Sequence, residues 1–320
     1  MDKISWQTGI SLVELMIAML LSLWLIVGIV LAYFSNQRSY LTAEALAHMQ
    51  ENARVAIYLL SQEVHSAGYI GCLPLNAIEL NQVNTHFFSD TRLGGWNQGT
   101  STFHFHLPAD IAKKAAPNTN ILLVQRMTND NYVVRSAEKN AIFFEQKPNY
   151  EVGETLLISD CVHANIVQVT SISSNKITVS PALVQSYNRA SQIGHLASVF
   201  YYIRKTNRKN TGGAPIYALY RRDINESAKL AQEVVEGIEN MQIKFGIKQA
   251  DKVFYLPIQQ ITAADWQAIV SVQIALLLNS IDPILDRSPT YQFNQKNDTA
   301  SDRLLRREWN FTIAVREPIR

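Results

Sequence analysis

Residues 10–34 form an apolar run in which Glu14 is the only charge. As a helix its 25 residues would be about 37 Å long, enough to cross a hydrocarbon layer of about 30 Å with some tilt. No proline occurs before Pro74, and beyond Leu46 the residues Met49, Ala53, Ile57, Leu60 and Val64 recur at three- and four-residue steps. That spacing predicts that the helix continues as an amphipathic one and stops near Gly68. A helix over residues 10–67 would be about 87 Å long. Its outer half should lay one stripe on a globular domain and leave Gln37, Arg38, Glu44, Gln50, Glu51, Arg54, Gln62 and Glu63 in water.

Beyond Gly68 the period changes. Short runs rich in Val, Ile, Tyr and Phe predict strands at 121–124, 132–134, 141–144, 155–158, 165–172, 176–179, 198–203 and 216–220. Three later stretches alternate plainly: Met241, Ile243, Phe245; then Val270, Val272, Ile274, Leu276, Leu278; then Trp309, Phe311, Ile313, Val315. A period of two marks strands with one face in a core. Helical patterns between the strands are scarce, which argues against a parallel α/β fold. The expected class is α+β: a long N-terminal helix followed by a β-rich, mostly antiparallel domain of about 250 residues in two sheets or lobes. Residues 76–117 and 280–302 read as variable loops.

A carboxylate at the centre of a membrane-spanning helix costs about 2.5 to 3.5 kcal/mol and less near the edge, so Glu14 needs a reason. Before the run stands the short polar stretch Met1-Asp-Lys-Ile-Ser-Trp-Gln-Thr-Gly9, whose slight positive balance favours an N-inside orientation. A secretory signal would have a shorter apolar core with small residues after it, whereas here the candidate processing residue, Gly9, precedes the run. Gly9-Ile-Ser-Leu-Val-Glu14 resembles the processing motif of type IV prepilins: a glycine, an apolar residue, and a glutamate at the fifth mature position. The resemblance implies that a prepilin peptidase cuts between Gly9 and Ile10 and methylates the Ile10 amine. It also implies that Glu14 recruits the next subunit by meeting the Ile10 amine of a neighbour, which suits a buried carboxylate. Ile10 stands where phenylalanine is commoner, and Trp6-Gln7-Thr8 where a basic residue often stands.

On this reading residues 1–9 are a leader, 10–34 the membrane-spanning half of the helix, 35–68 its periplasmic amphipathic half and 69–320 the periplasmic domain. Charged residues make up 18% of the chain and the net charge is +2, so no strong attraction to nucleic acid follows and direct nucleic-acid binding is not expected. Two cysteines occur, Cys72 and Cys161; an oxidising periplasm favours their pairing as a disulfide.

Further segments resemble the PilW-type minor pilins and the related J-type minor pseudopilins of type II secretion. They are Ser61-Gln-Glu-Val-His-Ser-Ala-Gly-Tyr-Ile-Gly-Cys72, the second cysteine segment over 158–169, and residues 235–246, 266–278 and 303–315. The paired cysteines favour the PilW type. What this implies is a minor pilin of a priming complex that starts type IV pilus assembly, stays at the fibre tip, and supports twitching motility, adhesion and DNA uptake. Expected partners are the prepilin peptidase, other minor pilins, the major pilin and the inner-membrane assembly platform, with a large tip adhesin as a further candidate. The expected location is the inner membrane, single-pass with the N-terminus cytoplasmic, and then the fibre. The alternatives are a J-type pseudopilin and a tip adhesin or DNA-binding module.

No catalytic constellation stands out, so no enzymatic activity and no cofactor or metal is expected. His104 and His106 would share one strand face, but no carboxylate or cysteine cluster completes a metal site. Leu93-Gly-Gly-Trp-Asn-Gln-Gly99 lacks a phosphate-binding spacing and reads as a surface turn, as does Thr211-Gly-Gly-Ala-Pro215. The basic run Arg204-Lys-Thr-Asn-Arg-Lys209 reads as a solvated loop with no aromatic platform beside it. Arg303, Arg306 and Arg307 read the same way.

Overall fold

The computed structural model describes residues 11–71, 73, 91–97, 106–128, 130, 132–225, 230–250 and 252–316. The chain has the α+β architecture expected: a long apolar helix followed by antiparallel sheets. Helix α1 spans Leu12–His65, and the chain divides into a first unit, Met1–His48, and a second, Met49–Arg320.

In the second unit α1 buries Met49, Ala53, Ala56, Leu60 and Val64, a stripe at three- and four-residue steps. The stripe is turned slightly from the expected one, since Ala56 is buried while Ile57 is only half covered. The helix ends at His65, and Gly68 follows at φ 76°, a backbone conformation that glycine adopts without strain. The Gly68 N–H donates to Gln125 O at 2.8 Å, and a Cβ there would meet the Arg92 side chain.

Ten strands form the larger sheet. On one side of it β1 (Leu93–Asn97) pairs with β2 (Asn120–Met127), which pairs with the long β8 (Gln192–Lys209). The start of β8 pairs with β5 (Thr155–Ser159); its remainder pairs with β9 (Pro215–Asp223), which carries β10 (Gln232–Glu236). From β5 the sheet continues through β6 (Ala164–Ser173), β7 (Lys176–Ser180) and β4 (Ala141–Phe144) to β3 (Val134–Glu138). The second sheet has the order β12 (Lys252–Pro257), β11 (Ile238–Gln249), β13 (Ile269–Asn279), β16 (Arg306–Ala314). A separate hairpin joins β14 (Thr290–Phe293) to β15 (Lys296–Thr299). A short helix, α2 (Ala109–Lys114), lies between β1 and β2.

The main core gathers the α1 stripe, β1, β2, β8 and β9 together with the inner face of the second sheet. Met241, Ile243 and Phe245 of β11 and Val272, Ile274, Leu276 and Leu278 of β13 are all buried there, as their alternation predicts. Val270 at the start of β13 is only half covered. A second core lies under β3 to β7, built from Ile142, Leu156, Ile158, Val167, Ile177 and their neighbours. The expectation of two lobes therefore holds, with β8 as the strand both share.

Several loop expectations are corrected. Residues 93–97 form β1, whose first four residues are buried, in place of a surface turn. Gly95 serves close packing: a Cβ there would lie 3.0 Å from the Phe245 ring, and Trp96 sits 5.6 Å from Phe200 between centroids. Residues 280–302 include the β14–β15 hairpin, which β16 holds through the Arg306 guanidinium, 5.2 Å over the Tyr291 ring. The strand expected at 132–134 begins only at Val134. Thr211 and Gly212 do form a turn, between β8 and β9.

Candidate functional site

The first unit places Glu14 in the opening turn of α1. Ser11 precedes the helix, its carbonyl accepts from Leu15 N–H at 3.1 Å, and its own N–H donates to Glu14 Oε2 at 3.0 Å. This is half of a capping box: the third helical residue reaches back to an N–H that the helix leaves unpaired. A carboxylate is also favoured there by the positive end of the helix dipole. The S-x-x-E pattern of such a box stands in the sequence at Ser11 to Glu14. Gly9 and Ile10 lie outside the described residues.

Behind this cap, every large apolar side chain from Leu12 to Phe34 is exposed, with Leu12 at 74% and Trp24 at 77%. Soluble monomers rarely expose apolar patches above a few hundred Å². Among the described residues α1 is one helix long and apolar enough to cross a membrane.

Within the second unit the end of α1 and the residues that follow it are held by polar contacts. Glu63, expected in water, instead takes a two-pronged ion pair from Arg126 of β2, at 3.1 and 3.2 Å, with both side chains four-fifths covered or more. Glu51 and Arg54 stay exposed, as expected, and pair with each other. Tyr69 Oη donates to Gln192 Oε1 at 2.7 Å, and Ser159 Oγ donates to Ile70 O at 2.5 Å. A Cβ on Gly71 would meet that same Ser159 hydroxyl. Cys161 is exposed in the β5–β6 turn, where the Asp160 carboxylate accepts the N–H groups of Val162 and His163. Cys72 lies outside the described residues.

The most organised polar cluster is one that no local pattern announced. His195 Nδ1 lies 2.8 Å from Asp130 Oδ2 and Nε2 lies 3.1 Å from Glu154 Oε2. Thr128 Oγ1 donates to Asp130 at 2.7 Å and accepts from the His195 N–H, while Tyr150 Oη donates to Asp130. The Asp130 hydrogen bond, against the cost of burial and with help from Glu154, pushes His195 up to about 9. Burial raises Asp130, but the hydrogen bonds from His195 and Thr128 outweigh it and leave that carboxyl lowered. The Tyr150 phenol is raised by burial and by the Asp130 charge. Both imidazole nitrogens are occupied, so the cluster is an ion-paired lock with no nitrogen left for a ligand. A Cβ on Gly194 would run into the Thr128 carbonyl, which explains the glycine beside it.

Elsewhere the predicted chemistry disperses. His104 lies outside the described residues and His106 is exposed; among the described residues no group of three metal-binding side chains forms. The basic run is corrected from a loop to the end of β8, and it does have aromatic neighbours. The Arg204 guanidinium lies 4.9 Å over the Tyr220 ring, Lys205 Nζ lies 5.8 Å from Tyr217, and Arg208 pairs with Glu233 and Glu236. Arg306 is corrected from a solvated residue to one whose side chain, 5% exposed, lies between Glu239 and Asp302.

Residues 200–317, from the middle of β8 through β16, match the model of a family described as type IV pilus-assembly protein W. The match supports a type IV pilus-related family and an assembly-related role. It leaves outside it α1 and both cysteine segments. No curated protein and no solved structure matches the chain.

Proposed function

We propose that this chain is a minor pilin, a non-catalytic structural subunit that primes type IV pilus assembly and remains at or near the fibre tip. The observation that carries the reading is α1 itself: a helix whose membrane-length apolar half is exposed all round and opens on a lone carboxylate. Such a surface needs either a bilayer or the packed helices of other subunits, and the family match over residues 200–317 supports the pilus. The precursor is held in the inner membrane with the second unit periplasmic. Prepilin peptidase removes residues 1–9 and Ile10 is methylated. In the fibre Glu14 exchanges its cap on Ser11 for the Ile10 amine of a neighbour, an exchange of one hydrogen-bonded partner for a charged one that strengthens the contact. Partners are other minor pilins, the major pilin and the assembly platform.

Cys72 and Cys161 pair on this reading. Support comes from the residues beside them, since Ile70 and Gly71 lie against Ser159, two residues before Cys161.

The test is intact mass and N-terminal sequencing of the membrane-extracted protein, from cells with and without prepilin peptidase, before and after reduction. A chain starting at methylated Ile10 only where the peptidase is present, with one disulfide, is expected. An unprocessed Met1 start in both strains would overturn the pilin reading. Glu14→Ala should be processed normally yet be missing from sheared fibres.

A further inference from the structure

The β8–β9 hairpin carries a basic edge that pilus assembly through α1 does not use. Lys205 and Lys209 of β8 are exposed, as are Lys113 and Lys114 at the end of α2. A β-bridge between Ala115 and Arg204, with Ala116 N–H donating to Ile203 O at 2.7 Å, draws the end of α2 along the side of β8 opposite β9. The two lysine pairs therefore flank one stretch of backbone. Arg208 is neutralised by Glu233 and Glu236, and Arg222 by Asp110. No ion pair joins a carboxylate to any of the four lysines among the described residues. Tyr217, half covered, lies beside Lys205. Long cationic side chains next to tyrosine suit a lipid headgroup layer, where the charge meets phosphate and the ring sits at the boundary.

The position of this edge within the second unit singles out the partner. β8 runs opposite to α1: Gln192 at its start meets Tyr69, beyond the end of the helix. At the other end of β8, Arg208 pairs with Glu236, whose carbonyl accepts from Asn52, in the first turn of the unit. The lysines thus lie at the end by which the chain enters the unit. Only residues 35–48 separate that entry from the apolar run. Within α1 those 14 residues are helical and about 21 Å long, so the entry to the unit stands within about 21 Å of the end of the apolar run.

We infer that this edge docks on anionic phospholipid headgroups while α1 is in the membrane and holds the second unit against the bilayer until the subunit enters a fibre. The inference rests on the membrane-anchored reading above. To test it, the full chain is reconstituted in vesicles of phosphatidylcholine alone or mixed with phosphatidylglycerol. Acetylation of individual lysines is then followed by mass spectrometry. Lys113, Lys114, Lys205 and Lys209 should react about threefold more slowly or less in the anionic vesicles at low salt, with Lys147 unchanged, and the protection should vanish at about 0.5 M salt. It should also vanish for Lys113 and Lys114 in Lys205→Glu/Lys209→Glu, or in Lys205→Gln/Lys209→Gln if the first variant loses its folded circular dichroism.

Equal rates in both lipids, in chains that float with both kinds of vesicle after an alkaline wash, overturn the docking and leave the anchor standing. Chains that float with neither overturn the anchor and the docking together. Protection by a short DNA oligonucleotide in phosphatidylcholine vesicles, matching that given by phosphatidylglycerol, overturns the lipid in favour of a nucleic-acid partner.

Discussion

His195 is held between Asp130 and Glu154, and its response to pH follows from that placement. Its value is raised to about 9, against about 6.5 for an unperturbed imidazole. A raised value means that the charged form favours the folded state. The contribution is therefore fully present below about pH 6.5 and is lost as pH rises through about 9. The side chain is 36% exposed, so solvent screening holds the effect to the order of 1–2 kcal/mol. Urea unfolding at about pH 6 and about pH 10 should show the wild type losing that increment and His195→Gln losing none of it. An equal loss in both would assign the fall to other groups. Glu14 and His195 differ in how far they could be read from sequence. The first is conspicuous because its cost is set by its immediate neighbours, whereas the second gains its meaning from carboxylates 65 and 41 positions away, brought to it by the pairing of β8 with β2 and with β5.

At the scale of elements, α1 was readable because burial of one face leaves a period of three to four in the sequence. Its stripe implies a sharp contrast between neighbours. Leu60, fully buried, should cost about 2–5 kcal/mol when changed to alanine, while Tyr58→Ala, on the solvent side, should stay within about 0.5 kcal/mol. Chemical denaturation of the two variants checks this, and a comparable loss at Tyr58 would mean that the helix is turned differently on its sheet. β1 shows the opposite case. Its two glycines carry no hydrophobic signal and suggest a turn, yet they lie in a buried strand, where Phe245 and Ile258 occupy the space that a side chain at Gly95 would fill. The end of β8 is likewise basic in composition but fixed by pairing with β9, which turns Arg204 and Lys205 onto tyrosines of the partner strand.

In the second unit as a whole, β8 belongs to both lobes: its start pairs with β5 over the second core, and its middle pairs with β2 and β9 over the main one. Val199, Phe200 and Tyr201 are buried and have a strand on either side. Their amides can open only when the main core is disturbed and a flanking strand parts, so in hydrogen exchange they should be the slowest of the unit, slower than those of the edge strand β12, where Val253, Phe254 and Tyr255 are exposed. Faster exchange at 199–201 than in β11 and β13 would show that the lobes open independently of the second sheet.

By itself the sequence determined the long helix, its apolar half, the lone carboxylate at its start, the alternating strands of the second sheet and the apolar runs that become strands of the larger one. These are local signals: each records whether a residue faces water or apolar surroundings, and neighbours one to four positions apart suffice to express it. The tertiary structure alone decided that a glycine-rich segment is a buried strand, that Glu63 and Arg306 are ion-paired away from water, that three segments converge on His195, and that four lysines flank one edge of β8. Those features depend on which strands pair and in what register, and pairing is settled by the packing of distant residues, which no short window of the chain contains.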